Sequence, residues 1–292
     1  MGTLGFIGLG LMGEGFTRRL LACGHEVVGY DLLPERVATA QGWGVEPATS
    51  PQEVAERCAI IMTCVTSTDA VETVVFGKDG VSRGGQAGGL LVDFSTTVVE
   101  NTKSMARRLK EDCGMGWIDA PVSGGPDAAQ AGKLAIMAGG SQADISKVRP
   151  VFEELAASFT VFGPAGSGQV AKMVNQVLVL NNYVVLAEAL ALAESGGIDA
   201  SKVPEALAAG HAGSNLLKAN FPRMIARDYG PKGYARQVLK DLDMIHDLAK
   251  SLGTPSPMSA QAATLYRVFN SKGHEDLDGV AIFKMFDPND TI

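Results

Sequence analysis

Lys172, followed three residues later by Asn175, is the pair in this sequence whose types and spacing best suit chemistry. Side chains at i and i+3 share one face of a helix, so an amine and an amide can converge on one substrate hydroxyl. Apolar neighbours would partly desolvate the amine, which disfavours its charged form and brings it toward the range a general acid/base requires. A lysine snorkelling from a helix start would look the same. A second segment, Asp119-Ala-Pro-Val-Ser-Gly-Gly125, sets the Ser123 hydroxyl beside Gly124 and Gly125, whose backbone N–H groups could cradle a small anion such as a carboxylate. A plain turn fits it equally well. A third segment, Lys240-Asp241-Leu242, is as well explained by a solvated charge.

Near the N-terminus, Gly8-Leu9-Gly10-Leu11-Met12-Gly13 follows an apolar run and opens an amphipathic one. In a strand–turn–helix setting the first glycine permits the tight turn, the second lets backbone approach a pyrophosphate, and the third lets helix pack on strand. The helix N-terminus would offer unpaired N–H donors to the phosphates. Asp31 ends the next apolar run (Val27, Val28, Gly29, Tyr30), near the ~20-residue offset expected of a ribose-binding carboxylate. An acid there accepts from both ribose hydroxyls and repels a 2′-phosphate, favouring NAD over NADP, although nearby Arg36 leaves NADP possible. Asp31 could also serve only to cap the turn before Pro34.

These residues need a scaffold, and the hydropathy pattern outlines one. Strands are expected at Thr3 to Ile7, Glu26 to Tyr30, Ile60 to Val65, Leu90 to Asp93, Trp117 to Ala120 and Leu134 to Ala138, with a helix from Gly13 to Ala22. Such alternation of strands and amphipathic stretches predicts βαβ units around a parallel sheet. After Gly163 a run from about Gln169 to Ser195 contains no turn residue and would form a helix of ~40 Å. Its apolar residues Val170, Val174, Val177, Leu178, Val184, Leu186 and Leu190 surround most of the circumference, so other helices are expected to cover it. Helices are also expected over Lys202 to Ala209, Asn215 to Ala226, Gln237 to Leu252 and Ser259 to Asn270. The fold class is therefore an α/β Rossmann-type dinucleotide-binding domain over residues 1–163, followed by an all-α domain over 164–292 with a long interdomain helix.

Composition narrows the function. The chain has 292 residues, of which 46% are hydrophobic, enough for two packed cores. With 25 Lys+Arg against 32 Asp+Glu the net charge is −7, and no basic block exists to track phosphates, so nucleic acid and anionic membranes are poor partners. Cys23, Cys58, Cys64 and Cys113 form no CxxC pair and no zinc spacing, which predicts no metal and fits a reducing cytoplasm. Polar residues Lys172, Asn175, Gln176, Asn181, Asn182 and Glu188 interrupt the long apolar helix, which argues for a buried helix rather than a membrane span. An N-terminus that enters a strand at once argues against a signal peptide.

Taken together, the Gly8–Gly13 loop, Asp93-Phe-Ser-Thr96, Asp119–Gly125, the run from Gly163 through Lys172 to Asn175, and Lys240-Asp241-Leu242 resemble the β-hydroxyacid dehydrogenase family of the 3-hydroxyisobutyrate dehydrogenase type. The resemblance runs along essentially the whole chain. It implies that Lys172 is the catalytic lysine, that Asn175 holds the substrate hydroxyl, and that Ser123, Gly124 and Gly125 bind the substrate carboxylate. It further implies that Gly8, Gly10, Leu11, Met12, Gly13, Asp31, Val65, Thr66 and Thr96 lie on the cofactor, with Lys240 touching cofactor or substrate. The implied activity is NAD-dependent interconversion of a short β-hydroxy acid and its aldehyde or keto acid, in a homodimer or homotetramer. Departures stand at Phe16-Thr17, Arg19, Val65-Thr66 and Val99, all near the cofactor. His211 and Arg236 could shape the pocket or serve as surface and capping residues. Three alternatives share the architecture: an imine reductase, which usually carries Asp or Tyr in place of the lysine; an oxidative decarboxylase like the related 6-phosphogluconate dehydrogenases, which are much longer and carry a sugar-phosphate clamp not obvious here; and a dinucleotide-binding protein without catalysis.

Overall fold

The computed structural model describes residues 2–287 and divides the chain into two compact units, Met1–Lys172 and Met173–Ile292. In the first unit nine strands form one sheet: β1 (Leu4–Ile7), β2 (Val27–Tyr30), β3 (Glu46–Pro47), β4 (Ile60–Thr63), β5 (Leu90–Asp93), β6 (Gly116–Asp119), β7 (Val122–Ser123), β8 (Leu134–Gly139) and β9 (Ala156–Gly163). Their order is β3-β2-β1-β4-β5-β6-β8-β7, with β9 on β8. The strands from β3 to β6 are parallel, and the order turns back at β1, between β2 and β4. That reversal is the switch point at which doubly wound sheets open a crevice beyond their carboxyl ends.

Four-residue apolar strands can be buried on both faces because successive side chains alternate sides. Phe6, Met62, Val92 and Ile118 pack on one face with Phe16 and Leu20 of helix α1 (Leu11–Ala22). Ile7, Ile61, Leu91 and Trp117 pack on the other. The register then decides where the chemistry sits. Ile7 aligns with Tyr30 and Thr63, Thr63 with Asp93, and Asp93 with Asp119, so these strands end at one level. The residues just beyond those ends therefore share one edge of the sheet: Gly8, Asp31, Val65, Thr66, Thr96 and the turn after Asp119.

Around the sheet run α2 (Pro34–Gln41), α3 (Pro51–Arg57), α4 (Thr68–Phe76), α5 (Val81–Gly84), α6 (Val99–Cys113), α7 (Gly125–Gln130) and α8 (Gln142–Leu155). Three strands lie outside the sequence expectation. β3 and β7 have two residues each, too short for a periodicity. β9 follows α8 without an intervening turn residue, so nothing in the sequence marks where helix becomes strand.

Helix α9 (Ser167–Ser195) carries the chain from the first unit into the second. The second unit is helical, with α10 (Val203–Ala206), α11 (Asn215–Ile225), α12 (Ala235–Leu252) and α13 (Pro257–Phe269). Leu186, Leu190, Phe221, Leu242, Tyr266, Phe269 and Phe283 form its core.

Two elements differ from the sequence expectation. The helix expected over Lys202 to Ala209 is a 3₁₀ turn, Ala200–Lys202, followed by the single turn α10, which buries no residue fully and rests on the core through half-buried Val203, too little apolar contact to hold a longer helix. Along α9, Val184, Leu186 and Leu190 are buried as expected, but Val170, Val174, Val177 and Leu178 are exposed in the single chain, as are Val185 and Leu192. Neighbouring helices thus cover one side of α9 rather than its whole circumference.

Candidate active site

Two glycines of the loop beyond β1, Gly8 and Gly13, stand where backbone leaves no room for a side chain. Gly8 has φ +97°, and a Cβ there would lie 2.3 Å from the Cys64 carbonyl oxygen. A Cβ on Gly13 would lie 1.9 Å from the carbonyl oxygen of Gly8. Gly10 is the N-cap of α1 and supplies no side-chain cap, so the first-turn N–H groups face outward as donors. Asp31 is buried, and its carboxylate accepts from the backbone N–H of Leu9 (2.7 Å) and of Leu33 (2.9 Å). It thus ties the loop to the end of β2 and also holds the turn before Pro34. Arg36 lies 3.6 Å from Asp31 and would be the first group a Cβ on Gly10 met, at 3.3 Å. The cradle suits a phosphate-sized anion: backbone donors, a positive helix end, and at Gly10 no side chain to compete for those donors. Val65 joins the β4 end to the β5 end by donating to Ser95 Oγ (2.9 Å), with Thr96 half-buried beside it and Thr66 exposed.

Beyond β6 the turn Asp119–Gly125 meets the start of α9. Gly124 has φ +134° and Gly125 φ +76°, a conformation that L side chains rarely adopt, and nothing lies within 4 Å of a Cβ on Gly125. Ser123 is half-buried beside them. Helices α1 and α7 pack backbone to backbone, since a Cβ on Gly15 would lie 2.7 Å from the Pro126 carbonyl. The glycine loop and the Ser123 turn are in this way held on one support.

Lys172 is 8% exposed, and its Nζ donates to the Val122 carbonyl at 2.7 Å, one residue from Ser123. The buried helix start that carries it is stapled twice. Asp119, fully buried, accepts from the N–H of Gly166 (2.7 Å) and of Gln169 (3.0 Å), capping α9 from 47 or more residues away. Gln169 donates to the Ser95 carbonyl (2.9 Å) and accepts from the Thr97 N–H (3.1 Å). Burial pushes the Asp119 carboxyl up from 3.8 to about 6, outweighing the downward pull of its backbone N–H donors.

In the second unit, Asn175 donates to the side-chain oxygen of Gln176 (2.9 Å), and Gln176 donates to Asp241 (2.5 Å). Lys240 lies 3.1 Å from Asp241 and is 30% exposed, so it is a half-buried paired charge rather than a freely solvated one. Arg236 pairs with Asp276 and lies over the Tyr234 ring, while His211 is exposed. Lys172 and Asn175 therefore share α9 but have separate partners. Sequence reasoning missed the parts of Asp119, Gln169 and Gln176. The available signal was the row Gln169, Lys172 and Gln176 at i, i+3 and i+7: three polar residues, all buried, on one face of an apolar helix. Helix α9 is long and apolar enough to cross a membrane by length and composition alone, yet this buried polar row has protein partners. Among the described residues no group of His, Cys, Asp and Glu is placed to hold a metal ion.

Comparison with known proteins matches residues 3–163 to the NAD binding domain of 6-phosphogluconate dehydrogenase and residues 166–286 to the NAD-binding family of NADP-dependent 3-hydroxyisobutyrate dehydrogenase. The chain is 35% identical over 281 residues to 2-hydroxy-3-oxopropionate reductase of Escherichia coli, covering 96% of this chain and 95% of that protein. It is 32% identical over 284 residues to L-threonate dehydrogenase of Cupriavidus necator, covering 97% and 95%. The crystal structure of 3-hydroxyisobutyrate dehydrogenase from Salmonella typhimurium superposes with a TM-score of 0.89 at 28% identity, covering 98% of this chain and all of that one.

Proposed function

The chain belongs to the β-hydroxyacid dehydrogenase family of the 3-hydroxyisobutyrate dehydrogenase type, and from that premise we propose that it interconverts a short β-hydroxy acid and its aldehyde or keto acid with Lys172 as general acid/base. It is an NAD(P)-dependent oxidoreductase acting on a CH–OH group. The observation that carries the assignment of Lys172 is its position: a buried amine, 2.7 Å from the Val122 carbonyl, next to Ser123 and two glycines of positive φ.

The nicotinamide cofactor, when bound, takes up or returns the hydride. In the oxidative direction the unprotonated Lys172 amine accepts the substrate hydroxyl proton; in reduction the ammonium donates it back to the carbonyl oxygen. The N–H groups of Gly124 and Gly125 and the Ser123 hydroxyl hold the carboxylate. Asn175 orients the hydroxyl, so that proton transfer is directed to Nζ. Gly8, Gly10, Leu11, Met12 and Gly13 take the pyrophosphate, Asp31 the adenosine ribose, and Val65, Thr66 and Thr96 line the cofactor, with Lys240 at cofactor or substrate. A buried Asp31 carboxylate favours NAD, and Arg36 beside it keeps NADP within reach. The exposed apolar row of α9 supports a homodimer or homotetramer, and four free cysteines fit a reducing cytoplasm.

Initial rates with NAD and NADP over 3-hydroxyisobutyrate, 3-hydroxypropionate, glycerate, threonate, serine and γ-hydroxybutyrate test this function. Turnover of at least one acid, faster with NAD, is expected. Cofactor binding with no turnover of any acid would overturn it in favour of a dinucleotide-binding protein without catalysis.

A further inference from the structure

Within the second unit the side chains of Asn175, Gln176, Asp241 and Lys240 form one continuous polar chain: Asn175 Nδ2 to Gln176 Oε1 at 2.9 Å, Gln176 Nε2 to Asp241 Oδ2 at 2.5 Å, and Lys240 Nζ to Asp241 Oδ1 at 3.1 Å. From this chain we infer that Gln176 is a positioning residue that fixes which way the Asn175 amide faces. The inference rests on the role proposed for Asn175 above.

The direction of the chain follows from its far end. An ionised carboxylate only accepts hydrogen bonds, so the group Gln176 turns toward Asp241 has to be its NH₂. Its carbonyl oxygen is thereby turned to Asn175, and only the Asn175 NH₂ can answer it. One amide hydrogen of Asn175 is then committed, leaving the other hydrogen and the oxygen for a substrate hydroxyl. Reversing the Gln176 amide would set oxygen against carboxylate oxygen. With Gln176 8% and Asp241 7% exposed, water could not make good the lost bonds. Lys240 supplies the counter-charge on the second carboxylate oxygen. That contact is electrostatic, since the oxygen has no aligned hydrogen bond. An amide free to rotate would present donor or acceptor to the reacting oxygen at random; this one has a single orientation before substrate arrives, which is the preorganisation that proton transfer to a fixed base requires.

A double-mutant cycle tests it, using the panel acid that turns over fastest and following kcat, the KM for cofactor, and the melting temperature. Gln176→Met, close in size and unable to bond, is expected to lower kcat about tenfold with the cofactor KM unchanged. In the Asn175→Ala background the same substitution is expected to change kcat less than about twofold, because the residue it acts through is gone. Asp241→Asn, isosteric but able to donate, is expected to show a smaller loss with the same dependence on Asn175. The inference is overturned if Gln176→Met has parental kcat, or if its loss persists undiminished on Asn175→Ala, as a merely structural role would give. A parental kcat for Asn175→Ala alone would instead remove Asn175 from the proposed mechanism, and the inference with it.

Discussion

Replacing Gly13 by alanine should separate cofactor binding from folding. Nothing about its backbone conformation forbids a side chain, since no positive φ is found there, and alanine is the better helix former by ~1 kcal/mol. The obstacle is a neighbour: the new Cβ would sit 1.9 Å from the Gly8 carbonyl oxygen and 2.9 Å from its carbon, both main-chain atoms that cannot rotate away. Ordinary van der Waals contact begins at 3.4 Å, so the turn and α1 must separate by about 1.5 Å. Overpacking of this kind costs about 1–3 kcal/mol, of which the gain in helix propensity offsets a part. The net loss of stability is therefore expected to be small, ~0–2 kcal/mol by urea denaturation. A displacement of that size within the phosphate cradle is far more damaging to binding, and a loss of 10- to 100-fold in NAD affinity is expected, in line with the cost of ~1 Å misplacements at reacting sites. Fluorescence titration with NAD measures it. An affinity within twofold of the parent would refute the idea that close approach at Gly13 shapes the pyrophosphate site.

Two further outcomes follow from buried carboxylates. Asp31→Ser shortens the acceptor that holds the Leu9 and Leu33 N–H groups and removes the charge that opposes a 2′-phosphate; the ratio of NAD to NADP in kcat/KM should fall at least about tenfold, Arg36 remaining in place. An unchanged ratio would mean that Asp31 only holds the turn. For Asp119 the folded value of about 6 lies above the unfolded 3.8, so its stabilising contribution is fully present below pH 3.8 and is lost as pH rises through 6, a swing on the order of 3 kcal/mol. Asp119→Asn cannot titrate, so relative to the parent it should become the more stable, by up to that amount, as denaturation is measured at pH 4 and then at pH 7. The opposite trend would show that the Gly166 and Gln169 N–H donors outweigh burial.

How much could be read in advance follows from which signals are local. Leu90–Asp93 was legible to the residue because a strand buried on both faces is a continuous apolar run between turn residues. β9 was not, because an edge strand that continues from a helix without a break mixes exposed and half-buried positions. The residue types that could do chemistry stood out: a lysine in an apolar helix and a pair of glycines behind a serine. Their supports did not, since Asp119 reaches Gly166 across 47 residues and Gln176 reaches Asp241 across 65, and such pairings belong to the packed fold. The exposed side of α9 misled for a related reason, as an apolar circumference states that burial is wanted without saying by what.

Lys172→Ala removes the amine proposed to carry the proton, with kcat measured on the fastest panel acid and NAD affinity measured on the same preparation. Removal of a general acid/base predicts a fall in kcat of about 10²- to 10⁴-fold with NAD affinity within twofold of the parent. Turnover retained within a factor of about three, with NAD still bound, would contradict the assignment and leave Lys172 as a structural lysine tied to the Val122 carbonyl.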